Sequence, residues 1–169
     1  EPPRSTTVRD SSGNNNHSVQ VEGGVTFGAP GLGMGDTAAR FDGTSGRIIV
    51  KNRDALNPSF VTMEAVIRWM GPHPADPTIS QRILEKSSYA TLAQYGLNID
   101  PDGRVLAQLR PSTDDVEVHA FSATRIDRDI LIHIGSTYDG RTIRIYLNGV
   151  LDSETSAPGR INPQQPTDT

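Results

Sequence analysis

Asp114, Asp115 and Glu117 come closest, on this 169-residue chain, to a set of carboxylates that could do chemistry. Two-carboxylate hydrolysis needs carboxyl groups about 5–5.5 Å or about 6.5–9.5 Å apart. Side chains on one face of a strand, two or four residues apart, can supply that spacing. The chain has no Glu-x-Asp-x-Glu or Glu-x-Asp-x-x-Glu run. Asp114 and Asp115 are adjacent, so a strand points them to opposite faces, and they follow Pro111-Ser112; a solvated loop is the simpler reading. No Gly-x-Ser-x-Gly elbow is present. The histidines His17, His73, His119 and His133 are scattered. His119 falls in an alternating segment and would face a sheet surface, and His133 reads as structural rather than catalytic. With no cysteine, a disulfide framework and a thiolate metal or redox site are excluded. These residues read as those of a non-enzyme.

Size and charge bound the rest. A chain of this length fits one domain and buries enough surface to need no staples. The net charge is -4 with both signs scattered, whereas phosphate binding needs clustered cations, so no nucleic-acid partner is expected. No apolar run reaches the roughly 18 residues of a membrane helix, so no membrane insertion is expected. The start, Glu1-Pro2-Pro3-Arg4, has neither the basic nor the apolar region of a signal peptide. Lys51 and Lys86 are the only lysines among sixteen basic residues, which reads as coding composition before function.

Turn chemistry sets the frame that must position any site. Asn or Asp stands at reversals in Asp10-Ser11-Ser12-Gly13-Asn14-Asn15-Asn16-His17, Phe41-Asp42-Gly43, Pro101-Asp102-Gly103, Tyr138-Asp139-Gly140 and Tyr146-Leu147-Asn148-Gly149. Residues 1–46 read as loops with short strands at 18–21 and 25–27, and 28–35 as an irregular, Gly-rich crossing. Residues 47–50 form a short strand. In 60–69, Met63, Ala65, Ile67 and Trp69 share one face while Thr62, Glu64, Val66 and Arg68 share the other, the period of a strand with one buried side. Further strands are expected at 82–86, 95–99, 104–109, 116–121, 130–138, 142–147 and 150–153, with Asp-Gly and Asn-Gly hairpins whose positive φ matches strand twist. Residues 160–169 read as a loop. The sum is an all-β antiparallel sandwich in a single domain spanning 1–169.

These features together resemble the concanavalin A-like lectin/glucanase superfamily, in particular its bacterial laminin-G-like domains. The resemblance is carried by the Asp10–His17 run, Arg40-Phe41-Asp42-Gly43, Ser59-Phe60-Val61-Thr62-Met63-Glu64-Ala65, Ile83-Leu84-Glu85-Lys86, Tyr95-Gly96-Leu97, His133, Thr137-Tyr138-Asp139-Gly140 and Tyr146-Leu147-Asn148-Gly149-Val150. Members usually carry Trp where Val66 and Leu131 stand, replacements expected to alter core packing. They also usually have strands before Glu1 and after Thr169, so the chain is expected to be a piece of a longer one, with flanking sequence or another subunit supplying those strands.

The resemblance implies a jelly-roll sandwich serving as a non-catalytic binding module, recognising a glycan or cell-surface polysaccharide in an extracellular, secreted or virion-surface protein. The alternative it implies is a structural or assembly domain of a bacteriophage tail or capsid, contacting other subunits without a sugar. Sugar sites pair an aromatic ring with a few fixed polar groups, and loops on a rigid sandwich are where such groups tend to lie. Trp69, His73, Tyr89 and Gln94, in and beside the loops at 70–81 and 87–94, are the candidates; Tyr89 reads as the exposed platform, and Trp69 as a platform or half-buried core. Many members hold a structural Ca2+, which needs six to eight oxygens. Glu1, Asp10, Asp42 and the Gly43 carbonyl are the candidate ligands, although Asp10 and Asn14 could instead cap turns.

Overall fold

Short strands separated by Asn, Asp and Gly turns account for the architecture. The computed structural model describes residues 7–87, 93–111 and 116–161. Twelve strands run in order: β1 (Ser18–Glu22), β2 (Val25–Pro30), β3 (Thr37–Phe41), β4 (Arg47–Val50), β5 (Val61–Arg68), β6 (Gln81–Lys86), β7 (Tyr95–Ile99), β8 (Arg104–Leu109), β9 (Val118–Arg125), β10 (Leu131–Tyr138), β11 (Thr142–Leu147) and β12 (Val150–Ser156). A single 3-10 turn, Asp54–Leu56, is the only helical segment among the described residues. The chain divides into two compact units, Glu1–Arg53 and Asp54–Thr169.

In the first unit β1 pairs antiparallel with β4 and β2 with β3. The expected irregular crossing at 28–35 is shortened here: β2 runs on to Pro30 with a bulge between Phe27 and Ala29, residues 31–35 stay irregular, and Thr37–Phe41 forms the partner strand. Two carboxylates organise the turns. Asp10 accepts the N–H groups of Ser12 and Asn16, each at 2.8 Å. Asp42 accepts three backbone N–H groups, from Thr44, Ser45 and Gly46, on Oδ1, and the hydroxyls of Thr44 and Ser45 on Oδ2. The Ser45 hydroxyl and the N–H groups of Thr44, Ser45 and Gly46 hold the Asp42 carboxyl far below the usual carboxylate range, the Ser45 hydroxyl contributing most. This turn lies directly on Gly24, where an added Cβ would sit 2.2 Å from Asp42 Oδ2.

The second unit is a sandwich of two four-stranded antiparallel sheets, ordered β12-β11-β10-β5 and β6-β7-β8-β9. Period-two alternation gives each sheet one apolar face. Met63, Ile134, Tyr138, Ile143 and Ile145 of the first sheet meet Tyr95, Leu97, Ile99, Val105, Ala107, Leu109 and Ala120 of the second in one core. The alternation read along 61–68 is observed: Met63 is buried while Thr62, Glu64, Val66 and Arg68 are exposed. The expectation that Val66 and Leu131 lie in the core is overturned. Both are on the outer face, 42% and 46% exposed, so a larger residue there would change the surface and not the packing. His133 shares that face, its Nε2 3.2 Å from Glu64 Oε2.

The three expected hairpins, β7–β8, β10–β11 and β11–β12, all form. Their turns differ in mechanism. Asn148 and Gly149 both have positive φ, 51° and 80°, the pair of values a two-residue type I′ turn requires. At the Asp102-Gly103 turn only Gly103 is positive, at 86°; Asp102 instead accepts the Arg104 N–H with its side chain. The two sheets are also tied at one edge. Asp152 of β12 accepts the N–H groups of Ala123 (2.6 Å) and Thr124 (3.3 Å) in β9, and the Ser153 hydroxyl donates to the Phe121 carbonyl at 2.9 Å.

Candidate functional site

Side chains of β7 and β8 that do not enter the core line the outer face of their sheet. Register sets them in rows. Arg82, Asn98, Leu106 and Phe121 form one, from β6 to β9; Glu85, Gly96, Gln108 and His119 form the next. Beyond them the Arg110 N–H donates to the Gln94 carbonyl at 3.0 Å, and alternation places Glu117 on the same side as His119.

The floor of this face is amide and the rim is aromatic and charged. Asn98 is 2% exposed, and its Nδ2 donates to Gln108 Oε1 at 3.0 Å. Gln108 crosses Gly96, where a Cβ would lie 3.1 Å from its Cγ. Asn98 Oδ1 is buried and accepts no hydrogen bond. At the rim the His119 ring meets Phe121 edge-on, with centroids 6.4 Å apart, and both residues are exposed. Arg82 Nε pairs with Glu85 Oε2 at 2.7 Å, and His119 Nε2 is 3.5 Å from Glu117 Oε1. At the hairpin end Arg104 and Arg125 converge on Asp102, at 3.3 and 2.9 Å. Partial burial pushes the Asp102 carboxyl up, but the Arg104 N–H and the two guanidiniums outweigh it and hold the group below its usual range.

Such a face can bind a polar ligand through fixed amides beside an aromatic edge. It is poorly arranged for hydrolysis. Glu85 and Glu117 flank opposite edges of the sheet, and Glu117 lies outside the Glu85 row, so their backbones are more than about 14 Å apart at ordinary strand spacing. Each carboxylate also lies beside a basic side chain of its own segment, Arg82 or His119.

Of the sugar-site candidates from sequence, Gln94 lies on this face by strand alternation. Trp69 does not: it is 8% exposed within the core. Its Nε1–H donates to Gln81 Oε1 at 2.7 Å, and the Arg128 guanidinium lies 5.7 Å from the ring centroid. His73 Nδ1 accepts the Asp76 N–H at 2.9 Å and shapes a turn. Tyr89, Asp114 and Asp115 fall outside the described residues, as does Glu1.

The oxygens offered for calcium do not fit that ion. Both oxygens of Asp42 are taken by its five local donors, which occupy the lone pairs a cation would need. Asp10 is likewise engaged by Ser12 and Asn16. Among the described residues no group of three or more His, Asp or Glu side chains is placed to hold a metal. Gly43 sits in the turn that Asp42 organises, at φ 76°.

Comparison with known families agrees with this architecture. Residues 42–169 match the family model of the concanavalin A-like lectin/glucanases superfamily. The chain belongs to that superfamily. Membership accounts for the antiparallel sandwich and fits a binding module in general terms, while the superfamily name covers glucanases as well as lectins. No curated protein matches the chain closely enough to serve as a relative. Asn98, Gln108, His119 and Phe121 were not singled out together by sequence reasoning. The signal was present as polar or aromatic residues at the alternate positions of strands whose other positions are apolar.

Proposed function

We propose that this chain is a non-catalytic recognition module, acting outside the cell or on a virion, that binds a glycan on the outer face of the β6–β9 sheet. The observation that carries the reading is the Asn98–Gln108 amide pair beside the exposed His119–Phe121 edge. Sugars present both an apolar face and hydroxyls, which such a combination serves. The wide separation of Glu85 and Glu117 supports binding without turnover.

The test is a glycan array probed with the labelled protein, repeated with Phe121→Ala and His119→Ala. Retention should fall at least tenfold in both variants with unchanged thermal midpoints. Retention of no glycan, or retention indifferent to both substitutions, would sink the proposal, as would polysaccharide turnover by the wild type.

The assembly reading has one observation in its favour: Val66, Leu131 and Leu151 leave exposed apolar surface on the other sheet. Association of the wild type that is abolished by Leu131→Ser, together with an empty array, would favour it.

A further inference from the structure

Asn98 is nine-tenths or more buried, yet its Oδ1 accepts nothing. An orphaned buried acceptor is costly, and in a folded protein it asks for an explanation, a bound ligand among them. Its neighbour completes the pattern. Because Asn98 Nδ2 donates to Gln108 Oε1, the Gln108 amide keeps its own donors for a ligand. The pair therefore holds a donor on half-buried Gln108 and, beside it, a buried acceptor that a ligand reaches only once the side chains over it shift.

We infer that the Asn98–Gln108 pair reads a neutral sugar hydroxyl, which donates to one amide while accepting from the other, and that it discriminates against carboxylated or sulfated sugars at this position. The inference rests on the proposed glycan reading of this face. A carboxylate or sulfate oxygen has no hydrogen to give the orphaned acceptor. Nearby charge points the same way. Arg82 is already paired with Glu85, and Glu117 lies beside His119. An anion gains no net charge attraction from the Arg82–Glu85 pair. The Arg104–Asp102–Arg125 cluster at the hairpin end carries one cation more than anions, so anionic probes belong in the test.

The experiment is isothermal titration calorimetry of the full chain with neutral hexasaccharides (laminari-, xylo- and manno-oligomers) and anionic ones (oligogalacturonate and chondroitin sulfate). At least one neutral oligomer should bind, and the anionic oligomers at least tenfold more weakly. Gln108→Glu, which keeps an acceptor for Asn98 Nδ2 but removes the free donor, should weaken the neutral oligomer at least tenfold. Asn98→Leu should do the same, and thermal melts would report whether it folds; Gln108→Glu decides the matter if it does not. Preferential binding of the anionic oligomers, or neutral binding unmoved by Gln108→Glu, overturns the inference and leaves glycan recognition standing. Binding of no oligosaccharide overturns both.

Discussion

Asp152 Oδ2 accepts the Ala123 N–H at 2.6 Å and so joins the edge strand of one sheet to the edge strand of the other. Open edges invite pairing with other chains, and inward-reaching charged side chains are one way to block it. Asp152→Ala should lower the unfolding free energy by about 1–2 kcal/mol and increase concentration-dependent association. Urea titration and light scattering check this. An unchanged midpoint with no new association would show that the link is idle.

Acid sensitivity follows from the turn carboxylates. Asp139 is held at about 2 by the Arg144 side chain and by the N–H groups of Thr142 and Arg141. Asp10 is held at about 2 by the Ser12 hydroxyl and by the N–H groups of Ser12 and Asn16. Both folded values lie below the unfolded carboxylate value of about 3.9. Their contribution is therefore complete above that value and is lost as pH falls through about 4 toward 2. Urea midpoints should be flat from neutral pH to about 5 and then decline. Asp139→Asn should lower the neutral midpoint and flatten the acid slope; an equally steep slope in the variant would assign the acid loss elsewhere.

Gly24→Ala places a methyl group 2.2 Å from Asp42 Oδ2. The turn must move or lose several of its five hydrogen bonds. A destabilisation of about 1–3 kcal/mol is expected, seen as faster amide hydrogen exchange at Thr44, Ser45 and Gly46. Wild-type exchange rates at those three amides would refute the close approach.

Trp69 is the sole tryptophan, and it lies in the core. Its fluorescence should be blue-shifted and resistant to acrylamide, and a glycan bound on the outer face of the β6–β9 sheet should leave it unchanged. Trp69→Ala should cost about 3–5 kcal/mol. A large emission change on sugar addition would restore Trp69 as a binding platform.

Most of the sandwich could be read from the residues because alternation is strong where a strand buries one face. Met63, Ala65, Ile67 and Trp69 mark β5, and Asn148-Gly149 marks the β11–β12 reversal. Thr37–Phe41 was missed because it buries no face: all five of its residues are exposed, so no apolar rhythm marks it. Val66 and Leu131 misled for the opposite reason, since an apolar residue on a strand suggests burial and only the register reveals the side. The face proposed to bind was hidden by distance along the chain. Asn98, Gln108 and His119 lie on three strands, and only the β7–β8 and β8–β9 registers bring them together.

The pairing of β5 with β10 joins Arg68 to Leu131 and Val61 to Tyr138. Contacts so distant in sequence must close a long loop before they gain anything, and chains dominated by them fold slowly, in milliseconds to seconds. During synthesis β5, with Met63, Ala65 and Ile67, therefore emerges well before its partner strand β10. For that interval this stretch is an unpaired apolar strand, and the charges on its other face, Glu64 and Arg68, are of the kind that oppose aggregation of such segments.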